Sequence, residues 1–143
     1  MGADQRMVAH EDWTALRTAE TERMLAACTR CGACFDACPM IPYAPDARGT
    51  DAKAAVASVL DVLTGGAGDA AARNWISVCT RSGSCNEACP EAVNPMLMLR
   101  LAKWRANETG AIAKRDASET MLSLPLVNSP DRAVENSPLP ACC

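Results

Sequence analysis

Residues 28–39 read CTRCGACFDACP, and residues 79–90 read CTRSGSCNEACP. The two align without a gap at an offset of 51, with eight of twelve positions identical, so one local structure is specified twice. The first copy spaces its thiols C-x2-C-x2-C-x3-C-P, through Cys28, Cys31, Cys34, Cys38 and Pro39. The second keeps Cys79, Cys85, Cys89 and Pro90, but Ser82 stands where the first has Cys31. Three thiols three residues apart, on a tight loop with Gly32 and Ala33, can point their sulfurs at one iron–sulfur cube. The small residues let backbone N–H groups approach the cluster and offset its negative charge. The fourth thiol lies too far round for that cube and reaches a second one, and the proline turns the chain away.

On this logic one cluster takes Cys28, Cys31, Cys34 and Cys89, and the other takes Cys38, Cys79 and Cys85. Each loop is then stapled to the other, and metal binding becomes folding energy. Zinc is the competing reading, because C-x2-C is also zinc spacing. Zinc sites usually pair two such units, however, and a third cysteine at the same step plus C-x3-C-P does not fit them. Ser82 leaves three options for the second cluster. It could ligate iron as an alkoxide, which is costly where soft thiolate is preferred. A fourth iron could carry water or a partner's group. Or that iron is absent, leaving a [3Fe-4S] cluster beside the [4Fe-4S] one, with Ser82 at the vacant ligand position. The last needs no extra ligand and is the expectation.

These loops need elements to hold them. Residues 11–27 read as a helix running into Cys28, with Trp13, Leu16 and Met24 at roughly helical spacing. A second helix fits 51–64, where Val56, Val59, Leu60 and Leu63 form one stripe and Gly65-Gly66 stops it. A third starts at Asp69, a plausible N-cap, and delivers Trp75, Ile76 and Val78 to Cys79. Asn94-Pro95 opens a fourth that runs to Gly110, with Met96, Leu97, Met98, Leu101 and Trp104 expected in the core. No alternating β-branched run marks a strand. The expectation is an all-α domain over 11–112, a disordered stretch over 1–10 and an extended tail over 113–143 that holds four of the nine prolines.

The pattern resembles the helical ferredoxin family, as found in the C subunit of heterodisulfide reductase and in the C-terminal domain of succinate dehydrogenase and fumarate reductase iron–sulfur subunits. Cys79, Cys85, Cys89, Pro90, Asn94 and Pro95 carry the second of these likenesses. That resemblance implies a three-iron cluster where a non-cysteine occupies the Ser82 position. Two departures qualify it. Nothing before Cys28 supplies the C-x4-C-x2-C of a plant-type [2Fe-2S] domain, and heterodisulfide reductase C subunits normally carry both four-cysteine motifs complete.

Other features set bounds. Net charge is −3, so no large basic surface suggests nucleic acid. No stretch approaches the roughly 20 apolar residues of a membrane span. Nine cysteines with no apolar leader read as a cytoplasmic, metal-binding chain rather than a disulfide scaffold. Phe35 reads as a shield between ligands, and Arg30 and Arg81 as charges that either offset a cluster, dock a partner or face solvent. His10 and the terminal Cys142-Cys143 pair receive no role. No catalytic arrangement is visible, so the chain reads as a non-catalytic electron-transfer subunit of a hetero-oligomeric oxidoreductase. By resemblance its neighbours are a flavoprotein or a heterodisulfide reductase B-like subunit. The alternatives are an iron–sulfur sensor of oxygen or iron, and a free soluble ferredoxin.

Overall fold

The computed structural model describes the backbone of residues 2–114 and the side chains of residues 12–114. Its regular elements are all helical: α1 (Gly2–Ala27), α2 (Ala33–Asp36), α3 (Ala52–Leu63), α4 (Ala70–Val78), α5 (Ser84–Ala88) and α6 (Pro95–Thr109), with a 3-10 turn at Ile41–Tyr43 and no strand among the described residues. The all-α reading of the sequence holds for the described residues. Residues 115–143, with most of the expected tail and Cys142-Cys143, lie outside the described residues, as does the His10 side chain. No described helix is long and apolar enough to cross a membrane.

Local chemistry sets the ends of the longer helices. Asp51 caps α3 by accepting from the Ala54 N–H at 2.9 Å, and Asp69 caps α4 by accepting from the Ala72 N–H at 2.7 Å. At the far end of α3, Gly66 donates to the Asp61 carbonyl and Gly65, at φ 105°, to that of Val62. This paired closure uses glycine's freedom at positive φ. Asn94 caps α6 by accepting from the Leu97 N–H, Pro95 takes the first helical position, and Gly110 ends the helix at φ 81°.

Helix α3 packs against α6 and α4, while α2 packs against α5 and α3. The core between them holds Val56, Val59, Trp75, Ile76, Met98, Leu99 and Leu101, with Ala44, Ala47, Ala72, Ala102 and Ala106 wholly buried. Small side chains let the helices approach closely, so alanine does here what larger residues do in bulkier cores. Of the residues expected in the core of α6, Met96, Leu97 and Trp104 are only partly buried and flank it.

Helix α1 departs from the expectation in two ways. Its backbone is helical from Gly2 rather than from residue 11, and no proline or internal glycine interrupts it after Gly2. Met24 is fully buried, yet Trp13 is 44% and Leu16 56% exposed. Helical spacing alone does not reveal that Met24 is enclosed while Trp13 and Leu16 stay exposed. Farther up, contact is made by the Arg17–Glu108 ion pair at 2.7 Å and by Trp13 edge-on to Trp104 with centroids 5.2 Å apart.

The first cysteine loop is wedged against α3. A Cβ on Gly32, at φ 85°, would stand 2.7 Å from the Ala52 Cβ, whereas one on Gly83, at φ 82°, would meet nothing within 4 Å. Gly83→Ala should therefore cost only left-handed backbone strain, about 1–2 kcal/mol. Gly32→Ala should cost more, because strain and a clash with α3 add. Chemical unfolding of the two variants measures the difference; equal losses would contradict the wedge.

Candidate metal centre

The repeated sequence gives a repeated backbone. Arg30 and Arg81 both take left-handed conformations, at φ 57° and 61°, and Gly32 and Gly83 follow at φ 85° and 82°. Each glycine then opens a short helix, with Phe35 N–H donating to the Gly32 carbonyl and Asn86 N–H to that of Gly83. Two non-glycine residues held at positive φ, in register, mark loops whose shape is fixed by more than local preference.

These turns arrange the thiols in two groups. Cys28, Cys31, Cys34 and Cys89 line one recess, together with Gly32, Val56, Val93, Pro95 and Met98. Cys89 comes from the second loop, so both repeats contribute to this recess. Burial pushes the Cys34 thiol up to about 12, and the charges of Cys28, Cys85 and Cys89 push in the same direction. Cys85 is raised by burial first, then by Cys38 and Cys79. Cys38 thus stands among the thiols of the second loop, as Cys89 does among those of the first. Cys34 and Cys85, twins in the repeat, are the two buried members, Cys28, Cys38, Cys79 and Cys89 are intermediate, and Cys31 is exposed.

The donor set suits iron–sulfur clusters. All seven thiols are free and soft. Among the described residues no group of three or more His, Cys, Asp or Glu side chains converges tightly enough to hold one metal ion. A cluster makes no such demand, since each thiolate binds a different iron. The Val93 N–H donates to the Cys89 sulfur at 3.5 Å, the kind of backbone contact that orients a ligating sulfur. The Trp75 indole N–H is buried without an acceptor among the described residues. Trp75 lies one helical turn before Cys79 and edge-on to Phe35, with centroids 5.0 Å apart, so sulfurs held by these loops would bring acceptors to its neighbourhood. Phe35, 5% exposed, is placed to keep water from the adjacent Cys34.

Ser82 is exposed, and its hydroxyl hydrogen-bonds the Ser84 hydroxyl at 3.4 Å. No charge assists that contact, so nothing in it favours an alkoxide. Asn86 occupies the place that Phe35 has in the first loop; its Oδ1 accepts from the Met96 N–H at 3.0 Å and ties the loop to α6. Arg30 and Arg81 are both exposed. Sequence reasoning missed the Val93, Asn86 and Trp75 groups. Only the mismatch between Phe35 and Asn86 at equivalent positions hinted at one of them.

The thiol environment sets a pH dependence. In the metal-free fold the neutral Cys34 thiol is favoured, so its stabilising effect is complete below its ordinary value of 9.0 and is lost as pH rises toward about 12. Iron ligation runs the other way, because it needs the thiolate and displaces the proton. The loaded protein should give up iron to a chelator faster as pH falls from about 8 to about 6, and reconstitution should release protons into a weakly buffered solution. Iron release independent of pH would contradict this linkage.

No curated protein and no solved structure matches the chain. Residues 24–93 do match the family model described as a 4Fe-4S dicluster domain, a span that begins at buried Met24 and ends at Val93 beside Cys89, taking in both cysteine loops. That match supports an iron–sulfur, ferredoxin-like family for this segment, with 4Fe-4S chemistry and iron–sulfur electron transfer as its implied capacity.

Proposed function

We propose that this chain is an electron-relay subunit of a hetero-oligomeric oxidoreductase. In this reading a [4Fe-4S] cluster is held by Cys28, Cys31, Cys34 and Cys89. A [3Fe-4S] cluster is held by Cys38, Cys79 and Cys85, with Ser82 at the position that lacks a thiolate. Electrons pass through the pair between a flavoprotein or a cysteine-rich catalytic subunit and an acceptor, as resemblance to heterodisulfide reductase C and succinate dehydrogenase iron–sulfur subunits would have it. A helical domain over 11–112, an extended tail over 113–143 and a reducing, cytoplasmic setting belong to the same reading.

The observation that carries it is the interleaving of the loops: Cys89 lines the recess of the first loop, and Cys38 bears on Cys85 of the second. Two clusters fixed side by side by crossed ligands make a short conduction path. Such a path has use only where donors and acceptors dock at both ends. The Ser82 hydroxyl, bonded to a neutral hydroxyl, supports the three-iron assignment over oxygen ligation.

Cluster content tests the assignment directly. Anaerobically prepared protein should carry about seven irons and give an electron paramagnetic resonance signal when oxidised. Ser82→Cys should raise the count toward eight and lower the potential of the second cluster, since it adds one thiolate and one iron. Eight irons and a silent oxidised wild type would overturn the three-iron cluster.

Crossed ligation has its own test. Cys38→Ser should remove or degrade the cluster of Cys79 and Cys85 while the signals of the other persist. Damage confined to the cluster of its own motif would refute the exchange.

A further inference from the structure

We propose that the face formed by Arg81, Arg100, Lys103 and Trp104 docks the acidic surface of a redox partner protein. The inference rests on the electron-relay reading above and adds where the partner sits and what chemistry it presents.

An open recess of about 250 Å³ lies between the second cysteine loop and α6. Cys79 contributes to its lining, alongside Arg81, Arg100, Lys103, Trp104 and Asn107, with no carboxylate among the lining residues. On a chain of net charge −3 that is a local inversion of sign. The other recess, around Cys28 and Cys89, has Glu91 in its lining and no cation, so the two ends of the thiol array differ in charge.

Among the described residues, none of the three cations is held in an ion pair. Arg17, Arg23 and Arg105 all pair with Glu20 or Glu108, whereas Arg81, Arg100 and Lys103 have no ion-pair partner among the described residues. All three are exposed. Arg100 and Lys103 are three apart on α6 and so share one face, and the Arg100 guanidinium stands 5.3 Å from the centroid of the Trp104 ring. Trp104 packs edge-on against the half-exposed Trp13. Arg81 is presented by a backbone held at φ 61°. Tryptophan and arginine around a partly apolar recess are the composition of interface hot spots.

The occupant follows from the charge and the openness. No buried polar side chain is directed into the recess, so it lacks the construction of a small-anion site. Three cations are too few for the phosphate tracking that nucleic-acid binding requires. Carboxylates on a protein surface would meet unpaired cations at the rim and be steered to them at long range. They would also bring a redox centre up to Cys79, the ligand of the second cluster that lies in the recess.

The test uses the full, cluster-loaded chain, reduced anaerobically and mixed by stopped flow with three oxidants: cytochrome b5 as an acidic protein, cytochrome c as a basic one, and a neutral benzoquinone. Wild type should reduce cytochrome b5 at a rate that falls with salt. Arg81→Glu/Arg100→Glu/Lys103→Glu should slow that reaction by about tenfold or more at low ionic strength, and speed the reaction with cytochrome c, each taken relative to the quinone rate, which reports any change in the clusters themselves. Arg100→Gln/Lys103→Gln, which only removes charge, should move the cytochrome b5 rate the same way by less; it stands in if the triple variant loses its cluster absorption. A cytochrome b5 rate insensitive to these substitutions, with normal oxidation by quinone, overturns the docking face and leaves the relay intact. Clusters that none of the three can oxidise overturn the relay reading and the docking face with it.

Discussion

Cys34 and Cys85 occupy the same place in a sequence repeat 51 residues apart, and the fold buries both in one core. Bringing two such loops together is the constraint on which the rest of the structure depends. Helix α2 must lie on α5. Gly32 sits so close to Ala52 that no side chain fits, and Val93, Pro95 and Met98 close the recess from the α6 side. The longer helices can then be read as a frame: α3 and α6 hold the first loop from two sides, and α4 ends on Cys79. A fold with one phenylalanine and one tyrosine has little apolar area to spend on this. Buried thiols stay protonated in the closed metal-free fold and must give up their protons to ligate iron, which is why cluster binding and folding should be coupled in this chain.

Much of this was legible in the sequence, for reasons that are local. The loops could be read because a tight turn is determined by its own residues, and twelve of them recur with eight unchanged. The ends of α4 and α6 and the stop of α3 could be read because Asp69, Asn94-Pro95 and the glycines at 65 and 110 act within one turn of themselves. What escaped is tertiary. Periodicity placed Trp13 and Leu16 at helical spacing with Met24, but it could not say that only Met24 would be enclosed. Nor could it say that Arg81 shares a recess with Arg100 and Lys103, since nothing in the chain between them encodes that meeting. The Trp75 N–H was invisible for the same reason: an absent acceptor is a property of the packed interior.

The two loops have the same backbone and different surroundings, and the differences point one way. Around the first, Phe35 is buried against Trp75, all four thiols are present and Glu91 is the charged neighbour. Around the second, Asn86 replaces the phenylalanine, Ser82 replaces a thiol and the adjoining recess is cationic. Each substitution makes the second site more polar or more open than its twin. A polar neighbour and a missing anionic ligand both raise the potential of a cluster relative to a shielded, fully ligated one. Unpaired cations nearby act in the same direction, because they stabilise the added electron. Electrons would then favour residence at the second site, beside the face where an acidic partner can reach them. Repetition supplies two copies of one ligand loop, and it is divergence at a handful of neighbours that would give the pair a direction.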